Sequence, residues 1–378
     1  MIRVVHVGKH YPPAPGGMER VVQMLCEGER AFVDSRALVI NTGRRTVVET
    51  WRGVPVIRVG RAGAIGSVAM SPAFPVWLSR VDADVIVHHE PNPWALVSHM
   101  AARPRGDLVV WFHSEVVRPA WRYRAFYRPF LRPVLDRAAQ IVVAAPPLAE
   151  RAEQLRDHRD KCTVIPFGID LGRFEATPEV ARRAEAFRRR YGPFFVLSVG
   201  RMVPYKGLDV LLRALHGTDL PAVIVGGGQM RGELQELACH LGLRDQVSFP
   251  GEVPEEDLVA LYHACGVFAL PSITRAEAFG VVQLEAMACS KPVVCTDLPT
   301  GVPWVNRHGE TGLVVPPGDA GALRDALLRV VRDPAAAERM GRRGRDRVGS
   351  DFTIARMIER TTALYERLVA GKSGAAIG

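Results

Sequence analysis

The sequence predicts an α/β fold built as two domains, and three observations lead there. Short β-branched runs alternate with helical segments along the whole chain, the pattern of parallel sheets with crossover helices. The runs fall into two successive series separated by a charged helix. At 378 residues the chain is too long for one ordinary core and suits two α/β domains.

In the first series, strands are expected at 2–7, 35–40, 54–59, 84–87, 108–112, 141–144 and 162–165. The second places them at 194–199, 222–225, 247–249, 266–270, 292–295 and 312–315. Two such series imply two Rossmann-like domains, at 1–165 and 193–350. Between them Val164-Ile-Pro-Phe-Gly-Ile-Asp170 and a charged helix at 180–190, closed by Tyr191-Gly-Pro193, form a linker over 166–192. A last segment, 351–378, carries Ile354, Met357, Ile358, Leu364, Tyr365 and Leu368 at helical spacing. It reads as a core-packed helix with a loose tail at 371–378.

Composition narrows the class. Hydrophobic content of 48% with 24% charge is that of a soluble globular protein. The longest near-apolar stretch, 138–149, falls short of the roughly 20 residues that cross a bilayer. The first eight residues carry an early charge and no small-residue cleavage site, so they read as a strand and not as a signal peptide. Cys26, Cys162, Cys239, Cys265, Cys289 and Cys295 are scattered without a C-x-x-C pair, which points to reduced, buried thiols in a cytoplasmic protein. The net charge of +9 is uneven: residues 1–165 hold 23 Lys/Arg against 15 Asp/Glu, and residues 166–378 hold 26 against 25. A basic half suits an anionic partner such as membrane lipid or a lipid-phosphate acceptor. An arginine-rich proteome explains it as well, since five of the 49 cations are lysine.

The strongest chemical signal is Pro271-Ser-Ile-Thr-Arg-Ala-Glu277-Ala-Phe-Gly280-Val-Val-Gln-Leu-Glu285. A strand runs into a loop and a helix begins near Gly280, whose N-terminal N–H groups and positive dipole end suit a diphosphate. Gly280 is expected to let a ligand approach the backbone closely. Eight helical residues would set Glu277 and Glu285 roughly 12 Å apart along the axis, the span from a donor hexose to a ribose. Carboxylates suit both ends because each accepts two hydroxyl hydrogen bonds. The plain alternative is a helix-capping Glu and a solvated one. A second signal, Gly200-Arg201…Lys206-Gly207, closes the first strand of the second series with two cations. Ligands of open α/β sheets bind beyond the carboxyl ends of strands, where such cations would bracket a diphosphate; solvated loop cations are the alternative.

With these residues in view, the chain resembles the retaining glycosyltransferases of family 4 over nearly its whole length. The E-x7-E motif is Glu277…Glu285, and the glycine-rich first loop is Pro12-Pro-Ala-Pro-Gly16-Gly17-Met-Glu19. The Gly-x-Gly loop is Gly226-Gly-Gly228, and the interdomain segment is Val164 to Asp170. The resemblance implies two facing Rossmann-like domains (the GT-B fold), with the C-terminal helix packing back towards the first. It implies that Arg201 and Lys206 bind the donor diphosphate and that Glu285 binds the ribose. Glu277, with the backbone of Phe279, Gly280 and Val281, would hold the donor sugar, and backbone near Val253 would meet the base. Gly16 and Gly17 would approach the reaction centre, His113 would contact the donor sugar, and Glu19 and Asn92 would meet the acceptor. A core histidine is the plain reading of His113.

The implied reaction is metal-independent transfer of a hexose from a GDP- or UDP-linked donor to a saccharide or lipid-linked acceptor, with no cofactor. His88-His-Glu-Pro-Asn92-Pro-Trp94, His113-Ser-Glu115 and Val302-Pro-Trp304-Val-Asn306 look similar to bacterial polysaccharide mannosyltransferases. The chain departs from the family at Phe167, where Asn is common, at Trp304, where Glu is common, and at Ser290, where Gly is common. A nucleotide-sugar epimerase of the same architecture and a non-catalytic sugar-nucleotide-binding protein are the competing readings. An acceptor-dependent product separates the first, and the intact Arg201, Lys206, Glu277 and Glu285 set argues against the second.

Two motifs are decoys. Asp82-Ala-Asp84 spells a metal-chelating D-x-D but abuts an apolar strand, so Asp84 is expected to start that strand, and no metal site is assigned. Gly226-Gly-Gly228 has the wrong spacing and place for a dinucleotide fingerprint. Finally, residues 118–137 interleave six arginines with Trp121, Tyr123, Phe126, Tyr127 and Phe130. Such a segment can lie peripherally on the anionic inner face of a membrane, or pack its rings inward and solvate its arginines. Nucleic acid is not expected, because no recognised module accompanies the charge.

Overall fold

The computed structural model describes residues 1–375 except 15, 67 and 116–126, with side chains to 371. It divides into two compact units, Met1–Phe167 with Ile354–Gly378, and Gly168–Thr353.

The first unit holds β1 (Arg3–Val7), β2 (Asp34–Ile40), β3 (Val47–Trp51), β4 (Val54–Val59), a small hairpin of β5 (Gly63–Ile65) and β6 (Val68–Met70), then β7 (Val85–Glu90), β8 (Asp107–Phe112), β9 (Gln140–Val143) and β10 (Cys162–Val164). Its sheet runs β10-β9-β8-β7-β1-β2-β4-β3, parallel except where β3 meets β4. The apolar runs are continuous because helices cover both faces of a parallel sheet. The helix Ile354–Ala375 completes this unit: Met357, Ile358, Leu364 and Tyr365 are buried, and Ile358 packs on Gly28 of the helix Gly17–Glu29.

The hairpin strand β3 is absent from the sequence expectations. Arg52 and Gly53 both adopt positive φ, +46° and +81°, in the turn that joins it to β4. Asn or Asp normally marks the first of these positions, so the arginine hid the turn.

The second unit holds β11 (Val196–Val199), β12 (Ala222–Val225), β13 (Val247–Gly251), β14 (Val267–Leu270), β15 (Val293–Thr296) and β16 (Gly312–Val315). Its order is β13-β12-β11-β14-β15-β16, all parallel. Strand order reverses between β11 and β14 here, and between β1 and β7 in the first unit. In doubly wound sheets ligands gather beyond the strand ends at such reversals.

Of the interdomain linker and helix expected over 166–192, residues 168–192 group with the second unit. Thr177 caps the helix Pro178–Tyr191 by accepting from the Val180 N–H. That helix is fastened to the helix Glu255–Ala264, where Arg183 reaches Asp257 at 2.6 Å and Arg188 donates to the His263 carbonyl at 2.8 Å. The expectation of uniformly buried cysteines is also corrected: Cys239 is exposed and Cys162 half-buried, while the other four are buried.

Ser290 lies at φ +56°. An L-residue there sets Cβ against its own carbonyl at a cost of about 1–2 kcal/mol, which a glycine would not bear. Glycine gives part of this back through its freer unfolded chain. Ser290→Gly is therefore expected to raise stability by about 0.5–1 kcal/mol in urea unfolding; an unchanged or lower midpoint would refute the strain.

Candidate active site

In the second unit, strand β11 ends at Val199 and the chain turns through a short helix, Pro204–Lys206, into Gly207. Gly207 has φ +63°, and a Cβ there would lie 2.1 Å from the Pro271 carbonyl oxygen. This closeness seats the 204–207 turn against the loop leaving β14, where the Ile273 N–H also donates to the Tyr205 carbonyl at 2.8 Å. Lys206 Nζ thereby meets Glu277 Oε2 at 2.6 Å, with both side chains about one-tenth exposed. Ser272 Oγ donates to the same oxygen at 3.0 Å. The pair spans the β11–β14 reversal. Arg201 is exposed, and its side chain makes no ion pair among the described residues.

The helix Val281–Ala288 follows, with Gly280 as its cap at φ +71°. Packing and backbone both call for glycine here: a Cβ would meet Leu270 Cδ2 at 2.6 Å, and the turn is left-handed. Glu277 precedes the cap, so the helical rise does not measure its separation from Glu285. Val281 opens the helix half-buried, and Val253 is half-buried in the loop after β13.

Glu285 is buried on the helix's inner side and accepts from the Tyr262 hydroxyl at 2.8 Å. Burial holds its carboxyl above the ordinary range. Tyr262 was not singled out in the sequence; its place two residues before the end of the helix Glu255–Ala264 gives no signal of this contact. Gly226 and Gly228 serve packing between strand ends, since a Cβ on each would come within 2.2 Å of the Gly200 oxygen and 2.5 Å of the Met202 oxygen.

Phe279 is buried in an aromatic cluster with Trp304 and Phe352, at centroid distances of 6.4 and 6.0 Å. Arg347 lies over Trp304 and Phe352 and donates to the carbonyls of Trp304 and Val305 at 3.1 and 3.2 Å. The tryptophan departure is thus an apolar, cation-capped support beneath the Phe279–Gly280 backbone.

In the first unit, His113 follows β8 and is almost wholly buried. Phe167, the position where Asn was expected from the resemblance, stacks on its ring at 5.5 Å. Burial pushes the imidazole down to about 3, so it is neutral near pH 7. Its Nε2 is 2.9 Å from His89 Nδ1, His89 Nε2 is 2.9 Å from His6 Nδ1, and His6 Nε2 is 2.5 Å from Glu29 Oε1. Ser35 Oγ donates to Glu29 Oε1 at 2.6 Å. Sequence reading passed over Glu29, His6 and His89 as site residues; the available signal was a glutamate in the buried stripe Val22, Leu25, Cys26, Glu29.

Gly16 caps the helix Gly17–Glu29, and the Glu19 carboxylate curls beneath it; both glycines are exposed. Asn92 is buried and caps the helix Pro93–Ala102 by accepting from the Ala95 N–H at 3.4 Å, so its oxygen is committed to structure. Glu90 beside it is fully buried, accepting from the Asn92 N–H at 2.6 Å and the Tyr127 hydroxyl at 2.7 Å. Asp84 lies just before β7, and Arg3 pairs with both Asp82 and Asp84. Of the arginine–aromatic segment, residues 118–126 lie outside the described residues. In the helix Arg128–Arg137, Leu131, Val134 and Leu135 are buried. No described helix is long and apolar enough to cross a membrane.

Two family models match the chain: Glycosyltransferase Family 4 over residues 15–173 and Glycosyl transferases group 1 over residues 182–347. The D-rhamnosyltransferase WbpZ of Pseudomonas aeruginosa is 36% identical over 93% of this chain and 92% of its own. The chain is a family 4 glycosyltransferase. This glycosyltransferase is also 31% identical to the O-antigen chain mannosyltransferase C of Escherichia coli, over 98% of this chain and 100% of that one. Sucrose-phosphate synthase from Thermosynechococcus elongatus superposes with a TM-score of 0.82 at 24% identity, covering 97% of this chain and 99% of its own. The glycosyltransferase therefore has the GT-B fold and acts with a nucleotide-sugar donor.

Proposed function

We propose that this glycosyltransferase moves a manno-configured hexose from a nucleoside diphosphate to a saccharide or lipid-linked acceptor, with retention and without a metal ion. The observation that carries the reading is the Lys206–Glu277 pair at the β11–β14 reversal, immediately ahead of the helix Val281–Ala288. As the sugar–phosphate bond breaks, negative charge grows on the departing diphosphate. Lys206, Arg201 and the helix N-terminal N–H groups supply fixed positive charge for it. Glu277 would accept sugar hydroxyls while steadying Lys206, and Glu285, with Oε2 held by Tyr262, would offer Oε1 to a ribose hydroxyl. Rhamnose is mannose without its 6-hydroxyl, so the names of the two relatives share one ring configuration, and this supports a manno donor.

The test is a melting screen against UDP-, GDP- and ADP-linked hexoses, followed by a product assay with the stabilising donor. A ligand that binds only the folded state raises the melting temperature. A GDP- or UDP-linked mannose or 6-deoxymannose is expected to stabilise and to be turned over, with a rate changed less than about twofold by EDTA, because the charge that stabilises the leaving group comes from protein. Stabilisation by gluco-configured donors alone overturns the sugar assignment. Loss of activity in EDTA with rescue by manganese overturns the metal-free one.

A further inference from the structure

We propose that Glu29, His6 and His89 are positioning residues that decide which ring nitrogen of His113 carries its proton, presenting Nδ1 to the donor sugar as a hydrogen-bond acceptor. The inference rests on the reading that His113 meets the sugar.

The four groups form one buried line. Each step crosses one strand and climbs two residues. His6 on β1 registers with Val87 on β7; His89 lies two residues on, on the same face. His89 registers with Trp111 on β8, and His113 lies two residues beyond that. Side chains two apart share a face of a sheet, so the three imidazoles rise diagonally across the β1–β7 reversal. Their rings stack at 5.2 Å from His6 to His89 and 5.2 Å from His89 to His113.

The polarity of the line follows from one end. An ionised carboxylate only accepts, and Glu29 Oε1 already accepts from Ser35. A neutral His6 then carries its proton on Nε2 and turns a lone pair at Nδ1 towards His89. Two protons or two lone pairs cannot face each other at 2.9 Å, so His89 carries its proton on Nε2 and faces His113 with a lone pair. His113 in turn donates from Nε2, and its Nδ1 is an acceptor suited to a sugar hydroxyl. Burial, which keeps His89 and His113 neutral, limits each to one proton.

The placement of Glu29 supports a functional demand. It is the last residue of the helix Gly17–Glu29, where the dipole's negative end disfavours a carboxylate, and it is fully buried. A residue chosen for helix stability there would be apolar or basic.

The experiment is long-range proton–nitrogen NMR on the full chain with nitrogen-15 histidine, alongside kinetics and binding of the free nucleoside diphosphate. Wild type is expected to show His113 as the Nε2–H tautomer alone. Glu29→Gln keeps the shape, but its amide can donate or accept, so His113 is expected to become a tautomer mixture. Losing one directed hydrogen bond to the sugar should lower kcat about 5- to 10-fold, while the Kd for nucleoside diphosphate stays unchanged. Should Glu29→Gln fail to fold, His89→Phe fills the stack, cuts the line and is expected to change the His113 signals in the same way. A His113 proton on Nδ1 in wild type, or identical His113 signals in wild type and folded variants, overturns the proposal. Failure of nucleoside diphosphate to bind wild type would instead count against the donor-site reading.

Discussion

Lys206→Ala is expected to lower kcat/KM by about 10- to 200-fold, the equivalent of one charge-assisted hydrogen bond of about 1.5–3 kcal/mol. The loss has two parts. The departing diphosphate forfeits a fixed cation, and Glu277, about one-tenth exposed, loses its cationic partner and keeps the Ser272 hydroxyl. Lys206→Arg is not expected to restore the rate. A Cβ added to Gly200 would already lie 3.3 Å from Lys206 Nζ, so the site fits a compact ammonium better than a planar guanidinium. Steady-state kinetics with the nucleotide sugar, checked by a melting curve for each variant, decide it. An alanine variant that folds and works at the wild-type rate would place the diphosphate elsewhere.

The second large effect is on stability and concerns Glu90. Burial raises its carboxyl to about 8, even though the Asn92 N–H and the Tyr127 hydroxyl stabilise the anion. A carboxyl whose folded value lies above its unfolded value of 4.5 favours the folded state when protonated. That contribution is complete below about pH 4.5 and is lost as pH rises through about 8, at about 1.4 kcal/mol per pH unit in between. Glu90→Gln retains an oxygen for both donors and cannot ionise. Urea unfolding at pH 5, 6.5 and 8 should therefore show the variant gaining on wild type as pH rises, since every other titrating group is common to both. Parallel stability curves would show that Glu90 does not titrate in this range.

The parallel strands were legible because sheets covered on both faces require uninterrupted β-branched runs, and every strand expected in the second unit is present within two residues. Strand β3 was not, since its pattern is exposed and its turn uses Arg52 where the usual marker is absent. Glu277, Glu285 and Lys206 were legible because each sits in a short local motif, and the structure brings Lys206 and Glu277 into contact. Tyr262 and the Glu29–His6–His89 line were hidden for the opposite reason. Their partners come from separate elements, and only strand order and register, which no local window contains, set them side by side. Asn92 shows a further limit: a cap and a ligand contact call for the same side chain, and here its oxygen caps the helix Pro93–Ala102.

The helix Ile354–Ala375 has a bearing on how the chain is made. The second unit is contiguous in sequence, whereas the first needs residues on both sides of it. On the ribosome, at about 5–20 residues per second, about 10–40 s separate the emergence of Phe167 from that of Ile354. During that interval the face of the helix Gly17–Glu29 that later meets Ile358 stays uncovered. The half synthesised first is thus finished last. A chain cut short before Ile354 can hold every residue of its second unit while its first stays open to chaperones and proteases.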